Sequence, residues 1–277
     1  IGLGFTASDT ANSPFAEYNI ESLPKYFDAY ATSGVLASNQ VKGELKSLHD
    51  GFTYILLENE NIYGNITDAF TDKMQSLALV NCLNISGDLT SGAKNLVLLN
   101  LTASSITGIS GTISRSKFPN LKSIQVQNNN NYVSNIGYNI EEFKDATKVY
   151  ATRLPNVTGN VDLLTNAANI VLEHTNCTIY NLSQLPPNLT ELSFNSGSIR
   201  KNVIYPTSRN FPSSMSRIGL VNCELSSADI DRLLNDLAQV TTWIGFRSVN
   251  LTGTRTSASD VAVQTIISRG ASVTINA

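Results

Sequence analysis

The stretch Ile218-Gly-Leu220-Val-Asn-Cys223-Glu-Leu225 holds the unit from which the rest of the chain can be built. Two apolar residues separated by one make a short strand with one face inward. A short polar stretch then turns a corner, and Leu225 returns the chain to the core. Working outward, the same phrase stands at Ile170-Val-Leu172 with anchor Ile179, and at Leu192-Ser-Phe194 with Ile199. It stands again at Val149-Tyr-Ala151 with Val157, and at Ile124-Gln-Val126 with Val133. Toward the N-terminus it recurs at Leu99-Asn-Leu101 with Ile106, Leu77-Ala-Leu79 with Ile85, and Tyr54-Ile-Leu56 with Ile62. On the other side lie Ile244-Gly-Phe246 with Leu251, and a last strand, Val273-Thr-Ile275. The anchors follow one another at intervals of about 20 to 27 residues, a period that marks a repeat architecture. One such unit is too small to hide its own apolar face, so each must stack on the next. Nine or ten strands at a spacing of ~4.8 Å then form a ladder.

The composition agrees. Charged residues make up only 15% of the 277, well below the usual share. Asparagine is about 11% of the chain and serine with threonine about 20%; these short side chains bond nearby backbone and suit tight corners. The 19 Lys and Arg nearly balance the 22 Asp and Glu, giving a formal charge of -3. No basic face for nucleic acid is expected. No apolar run of ~18 residues is present, so no membrane span is expected. The chain starts at Ile1 with no initiator Met, as a fragment or processed product would. Asp9, Glu17, Glu21 and Asp28 stand where a signal peptide would need a basic n-region and an apolar run, so a retained signal is not expected.

The 218–225 phrase resembles the LxLxx[N/C]xL core of leucine-rich repeats. Ile170-Val-Leu172-Glu-His-Thr-Asn-Cys177-Thr-Ile179 resembles it with two extra residues. A second tag, [IV]xG[ND][VIL], appears as Ile62-Tyr-Gly64-Asn-Ile66, Ile85-Ser-Gly87-Asp-Leu89 and Val157-Thr-Gly159-Asn-Val161. With the ending Thr256-Ser-Ala-Ser-Asp260, this tag is similar to repeat domains of Bacteroidetes surface proteins and phage virion proteins. The resemblance covers roughly residues 52–277. It implies an α/β solenoid: a right-handed coil with a short parallel strand per repeat and an irregular or helical convex side.

Two domains are expected: residues 1–51 as an N-terminal cap or connecting segment, and 52–277 as a solenoid of about nine repeats with a helix–strand C-terminal cap. In the first, Leu23, Phe27 and Tyr30 fit one helical face behind Pro24. Near the other end, Ser226 is placed to cap a helix, with Asp229 three residues on and a stripe of Ile230, Leu233, Leu234 and Leu237. A second helix is predicted near Ser257, with Val263, Ile266 and Ile267 inward and Gly270 just past its end.

Catalytic, metal-binding and cofactor-binding residues are expected to be absent. His49 and His174 are the only histidines and no GxSxG elbow accompanies them. Gly2-Leu-Gly4-Phe-Thr-Ala7 fits GxGxxA but follows no strand, which argues against a dinucleotide site. Cys82, Cys177 and Cys223 are too few and too far apart for a disulfide framework or a zinc site. Cys177 and Cys223 take the small-residue place inside the repeat's corner, with Cys82 one position off, so buried thiols are expected. Glu58, Asp68, Asp88 and Glu173 read as solvated acids, although a carboxylate pair would be needed by a polysaccharide-cleaving solenoid.

The outward strand positions are small, neutral and polar for the most part. The resemblance implies that this face meets a protein or glycan receptor. Gln125, Gln127, Tyr150, Thr152, Glu173, Asn195 and Arg247 are the candidate contacts, with Tyr150 foremost because an aromatic ring beside amide groups suits a sugar or a peptide. The expected function is a non-enzymatic attachment module outside the cell, on a cell surface or virion, of the adhesin or phage tail kind. The alternatives are a structural scaffold contacting neighbouring subunits of an assembly and, further off, a carbohydrate-active enzyme.

Overall fold

The computed structural model describes residues 3–4, 18–19, 29–31, 41–47, 52–58, 61–82, 84–103, 108–128, 134–200, 203–245 and 248–276. They fall into two compact units, Ile1–Tyr138 with Arg153–Asn156, and Asn139–Thr152 with Val157–Ala277.

In the first unit one parallel sheet holds β1 (Leu3–Gly4), β3 (Ala29–Ala31), β5 (Tyr54–Glu58), β7 (Ser76–Val80), β9 (Leu98–Ala103) and β11 (Ser123–Asn128), side by side in that order. A second parallel sheet holds β2 (Tyr18–Asn19), β4 (Val41–Glu44), β6 (Asn61–Asn65), β8 (Asn84–Asp88), β10 (Ile109–Thr112) and β12 (Asn135–Asn139). Successive strands thus alternate between sheets, as a coil of short rungs requires. Alternation sets the inward face of the first sheet: Leu77 and Leu79, Leu99 and Leu101, and Ile124 and Val126 are all buried. Each such side chain contributes about 1.5–3 kcal/mol when fully buried. The rungs are also tied by backbone. The N–H groups of Gln75 and Ser76 donate to Thr53 O, those of Val97 and Leu98 to Gln75 O, and those of Lys122 and Ser123 to Val97 O.

The second tag builds the opposite corner. After β6 and β8 the chain makes a single 3-10 turn, and the last strand residue caps it. Asn65 Oδ1 accepts from Thr67 N at 3.0 Å, and Asp88 Oδ1 from Thr90 N at 2.9 Å. Stacking then dictates the residue before the cap. Gly87 has φ +126°, and a Cβ there would lie 2.1 Å from Asn65 Oδ1 of the preceding rung. Only glycine meets both conditions.

In the second unit the first-type sheet holds β13 (Lys148–Thr152), β15 (Asn169–Glu173), β17 (Glu191–Arg200), β18 (Arg217–Cys223), β19 (Ser248–Thr252) and β20 (Ser272–Asn276), again parallel and in order. Val149, Ile170, Leu192, Ile218 and Val249 form one buried row, and Ala151, Leu172, Phe194, Leu220 and Leu251 the next. The second-type strands are β14 (Asn156–Asn160) and β16 (Asn176–Thr178), and Asn139, Asn160 and Asn181 repeat the 3-10 cap. Two helices follow, α1 (Ser227–Gln239) between β18 and β19, and α2 (Asp260–Ser268) between β19 and β20. Ser226 Oγ accepts from Asp229 N, capping the helix as predicted, and donates to Asp229 Oδ2, and Ile230, Leu233, Leu234 and Leu237 are buried.

The structure departs from the sequence reading at particular rungs. In β5 the inward residues are Ile55 and Leu57, one place later than expected. Ile244 is 69% exposed, and the ninth rung is β19, where Leu251 is an inward strand residue instead of a corner anchor. Ile106 and Val133 lie outside the described residues; Ile109 and Ile136 are the buried residues of their corner strands. Cys177, paired with Gly159, holds the strand place given to Ile179. Cys82, not Cys177, is the counterpart of Cys223: each follows an asparagine of positive φ, Asn81 at 54° and Asn222 at 58°. All three cysteines are buried, and none forms a disulfide. The side expected to be irregular or helical carries a second parallel sheet through most rungs, because the [ND] cap lets a three-residue turn replace a helix. Ile267 is 46% exposed, whereas Val263 and Ile266 are buried. Tyr30 lies in a strand opposite Ile55 instead of a helix, and Leu23, Pro24 and Phe27 lie outside the described residues. Parallel strands in two sheets, repeated at this period with few helices, fit a leucine-rich-repeat-like solenoid.

Candidate functional site

The pleat that buries one row of each strand turns the next row outward. In the second unit the registers align those outward residues. Tyr150, Val171, Ser193, Gly219, Asn250 and Thr274 form one row. Thr152, Glu173, Asn195 and Val221 form the row on one side, and Lys148, Asn169, Glu191, Arg217, Ser248 and Ser272 the row on the other.

Four neighbouring strands converge on one ionic cluster. Tyr150 donates its hydroxyl to Glu191 Oε2. Burial first, and then this bond, pushes the phenol well above its ordinary pKa, so it stays a donor at neutral pH. Lys148 Nζ lies 5.5 Å from the Tyr150 ring centroid. Arg217 reaches over the intervening strand β17 to Glu173 Oε1 at 2.5 Å, donates to Ser193 Oγ on the way, and stands 4.0 Å from Glu191 Oε1. Ser193 Oγ donates to Glu173 at 2.6 Å. The Arg217 side chain is 40% exposed and that of Glu173 26%. At that exposure an ion pair contributes only about 0–1 kcal/mol to stability, so its main effect is to hold the carboxylates in fixed positions.

Beside the cluster lies a groove of about 300 Å³, walled by Glu173, Arg217 and Asn195 and continuing over Ser248, Asn250, Ser272 and Thr274. Its floor is Gly219, where the missing side chain makes the depression. A second hollow of about 360 Å³ lies beside Phe211 at the C-terminal end of α1. Its one ionisable residue, Asp236, is committed to the Tyr205 hydroxyl at 2.7 Å and to Arg209 N at 2.7 Å.

Of the expected contacts, Tyr150, Thr152, Glu173 and Asn195 share this face. Gln125 and Gln127 face outward in the first unit, where Thr102 Oγ1 bonds Asn100 at 2.7 Å and Gln125 bonds Ser123 at 3.3 Å. Arg247 lies outside the described residues, and Gly245 stands in a bend before β19. Sequence reasoning missed Lys148, Glu191 and Arg217. It counted outward positions between and after each apolar pair, while these three precede the pair. Lys, Glu and Arg recurring one place before an apolar pair was the available signal. His174 has φ 54° and turns the corner after β15, its N–H donating to Asn195 O at 2.6 Å. Among the described residues no group of three His, Cys, Asp or Glu could hold a metal ion, and no helix is long and apolar enough to cross a membrane.

No protein-family model matches the chain, and no curated protein does. Among solved structures it is similar to the plant peptide hormone receptor RGFR1 in complex with RGF2, at 12% identity and a TM-score of 0.32, over 94% of this chain and 54% of that one. The chain therefore spans about half the length of that receptor chain. A likeness this distant leaves the fold to rest on the strand registers described above.

Proposed function

We propose that the chain is a non-enzymatic binding module that recognises a protein or glycan receptor through the outward face of the sheet from β13 to β20. The observation that carries this reading is the groove over Gly219 with its ionic cluster. Glu173 and Glu191 are held by Arg217, Ser193 and Tyr150 before any ligand arrives, so the surface is pre-organised. A carboxylate whose bonds are already made in this way serves as a fixed recognition group. A neutral, polar, weakly charged exterior suits display outside the cell, on a cell surface or virion, for attachment. The test is to immobilise the chain and expose it to purified surface proteins and to a glycan array, with an Arg217→Ala variant in parallel. Binding that falls at least tenfold in the variant supports the reading. Equal binding by both proteins, or none by either, removes it.

A further inference from the structure

We infer that the groove over Gly219 takes an uncharged oligosaccharide segment, laid across the strands of β17, β18, β19 and β20. This rests on the binding-module reading above and narrows it to one ligand class.

Charge is the first argument. Among the described residues of the face the charged side chains are Glu173, Glu191, Arg217 and Lys148, two of each sign, all within the cluster. An anionic ligand over the groove meets the Glu173 carboxylate on its wall, and a cationic one meets Arg217. A neutral ligand meets neither penalty. Chemistry is the second. Sugar hydroxyls donate and accept at once, and the walls offer both partners side by side. Glu173 accepts, Arg217 donates, and the Asn195 and Asn250 amides do both. A peptide anchor needs a desolvated apolar pocket for an aromatic or aliphatic side chain. The outward residues here are serine, asparagine, threonine and glycine, with Val221 the one outward apolar side chain; Val249, which also lines the hollow, belongs to the buried inward row. Shape is the third. The hollow is about 300 Å³, at the small end of the range of ~300–1,000 Å³ for ligand pockets, and it runs across the rungs. Its polar side chains repeat with the strand spacing of ~4.8 Å, close to the length of one sugar ring, so an extended glycan meets a new rung at each residue. The charged pair is fixed in advance, and the small side chains have few rotamers to lose, which lowers the cost of ordering the site.

The experiment is a titration of the purified chain against a panel of oligosaccharides: neutral ones beside sialylated, sulfated and amino-sugar ones. Two variants accompany it. Gly219→Tyr fills the groove; a Cβ at Gly219 comes no nearer than 3.2 Å to Ser193 Oγ, and the glycine is not at positive φ. Asn250→Ala removes one amide from an exposed strand position. Circular dichroism and the melting temperature confirm that both fold. We expect neutral members of the panel to bind, with little dependence on salt, and the affinity to fall at least tenfold in Gly219→Tyr and several-fold in Asn250→Ala. Binding confined to charged sugars, or to no sugar, overturns the inference. If a protein ligand binds instead and Gly219→Tyr blocks it, the glycan is wrong and the binding module stands. If a ligand binds and neither variant affects it, both fall.

Discussion

Replacing Gly87 by alanine probes the device that turns every second corner of the coil. Two costs add. At φ +126° an L-residue sits in backbone space that only glycine enters freely, a strain of about 1–3 kcal/mol. The new Cβ would also lie 2.1 Å from Asn65 Oδ1, so the Asn65 side chain must leave its position. Its bonds from Thr67 N at 3.0 Å and Thr67 Oγ1 at 2.9 Å go with it, and a lost cap costs about 0.5–2 kcal/mol. Gly87→Ala should therefore cost about 1.5–5 kcal/mol. Asn65→Ala alone removes only the cap and should cost about 1 kcal/mol. In the double variant the clash has no partner, so the total should fall short of the sum by about the cap energy, a coupling that a double-mutant cycle reads directly. Urea unfolding followed by circular dichroism measures all three. A Gly87→Ala change costing less than about 0.5 kcal/mol, the range of ordinary surface substitutions, or strict additivity of the pair, would refute the stacked-cap reasoning.

Three further outcomes follow from the same structure. Leu220→Ala empties a fully buried place in the second unit and should cost about 2–5 kcal/mol in the same assay, whereas Asn250→Ala should stay within about 0.5 kcal/mol. Burial alone would raise the pKa of Asp231, but bonds from Ser259 Oγ, Thr256 Oγ1 and Thr256 N outweigh it and hold the carboxyl below its ordinary value. A lowered folded pKa gives stability that is present above the unfolded value of ~3.9 and lost as pH falls through the folded one; acid unfolding of Asp231→Asn should lack that component, and an unchanged profile would contradict it. Burial, followed by the bonds to Glu191 and Asp236, pushes the phenols of Tyr150 and Tyr205 up, so both should ionise only well above the usual ~10. Phenolate absorbance reads this, and Tyr150→Phe should remove one late-ionising group from the titration; an unchanged curve would contradict it.

Much of the ladder was legible because burial forces alternation. Seven of the nine apolar pairs, from Leu77 to Leu220, stand inward as the pattern requires. The pattern fails where apolar residues also occur outward. In Tyr54-Ile-Leu-Leu57 either phase satisfies alternation, and only the neighbouring rung's register chooses Ile55 and Leu57. Ile244 and Phe246 imitate a rung, but β19 starts at Ser248, where Val249 and Leu251 pair with Ile218 and Leu220. The second sheet was written in the [IV]xG[ND] tag all along. Alternation does not reveal it there, because β6 and β8 bury one residue each, Ile62 and Ile85. The candidate face was half legible. Tyr150, Glu173 and Asn195 follow from the pleat alone. Their link to Glu191 and Arg217 does not, since it depends on a side chain long enough to reach over the intervening strand β17.

The in-register parallel stack is tested most directly by paramagnetic relaxation in solution. A nitroxide at Asn250→Cys modifies an exposed position, and the three native thiols are buried. The stack predicts the strongest broadening beyond the label's own chain neighbours at the amides around Gly219 and Thr274, its partners on the two adjacent rungs. Broadening that is confined to residues near 250 in sequence, or that runs along β18 and β20 in mirrored antiparallel order, would contradict it.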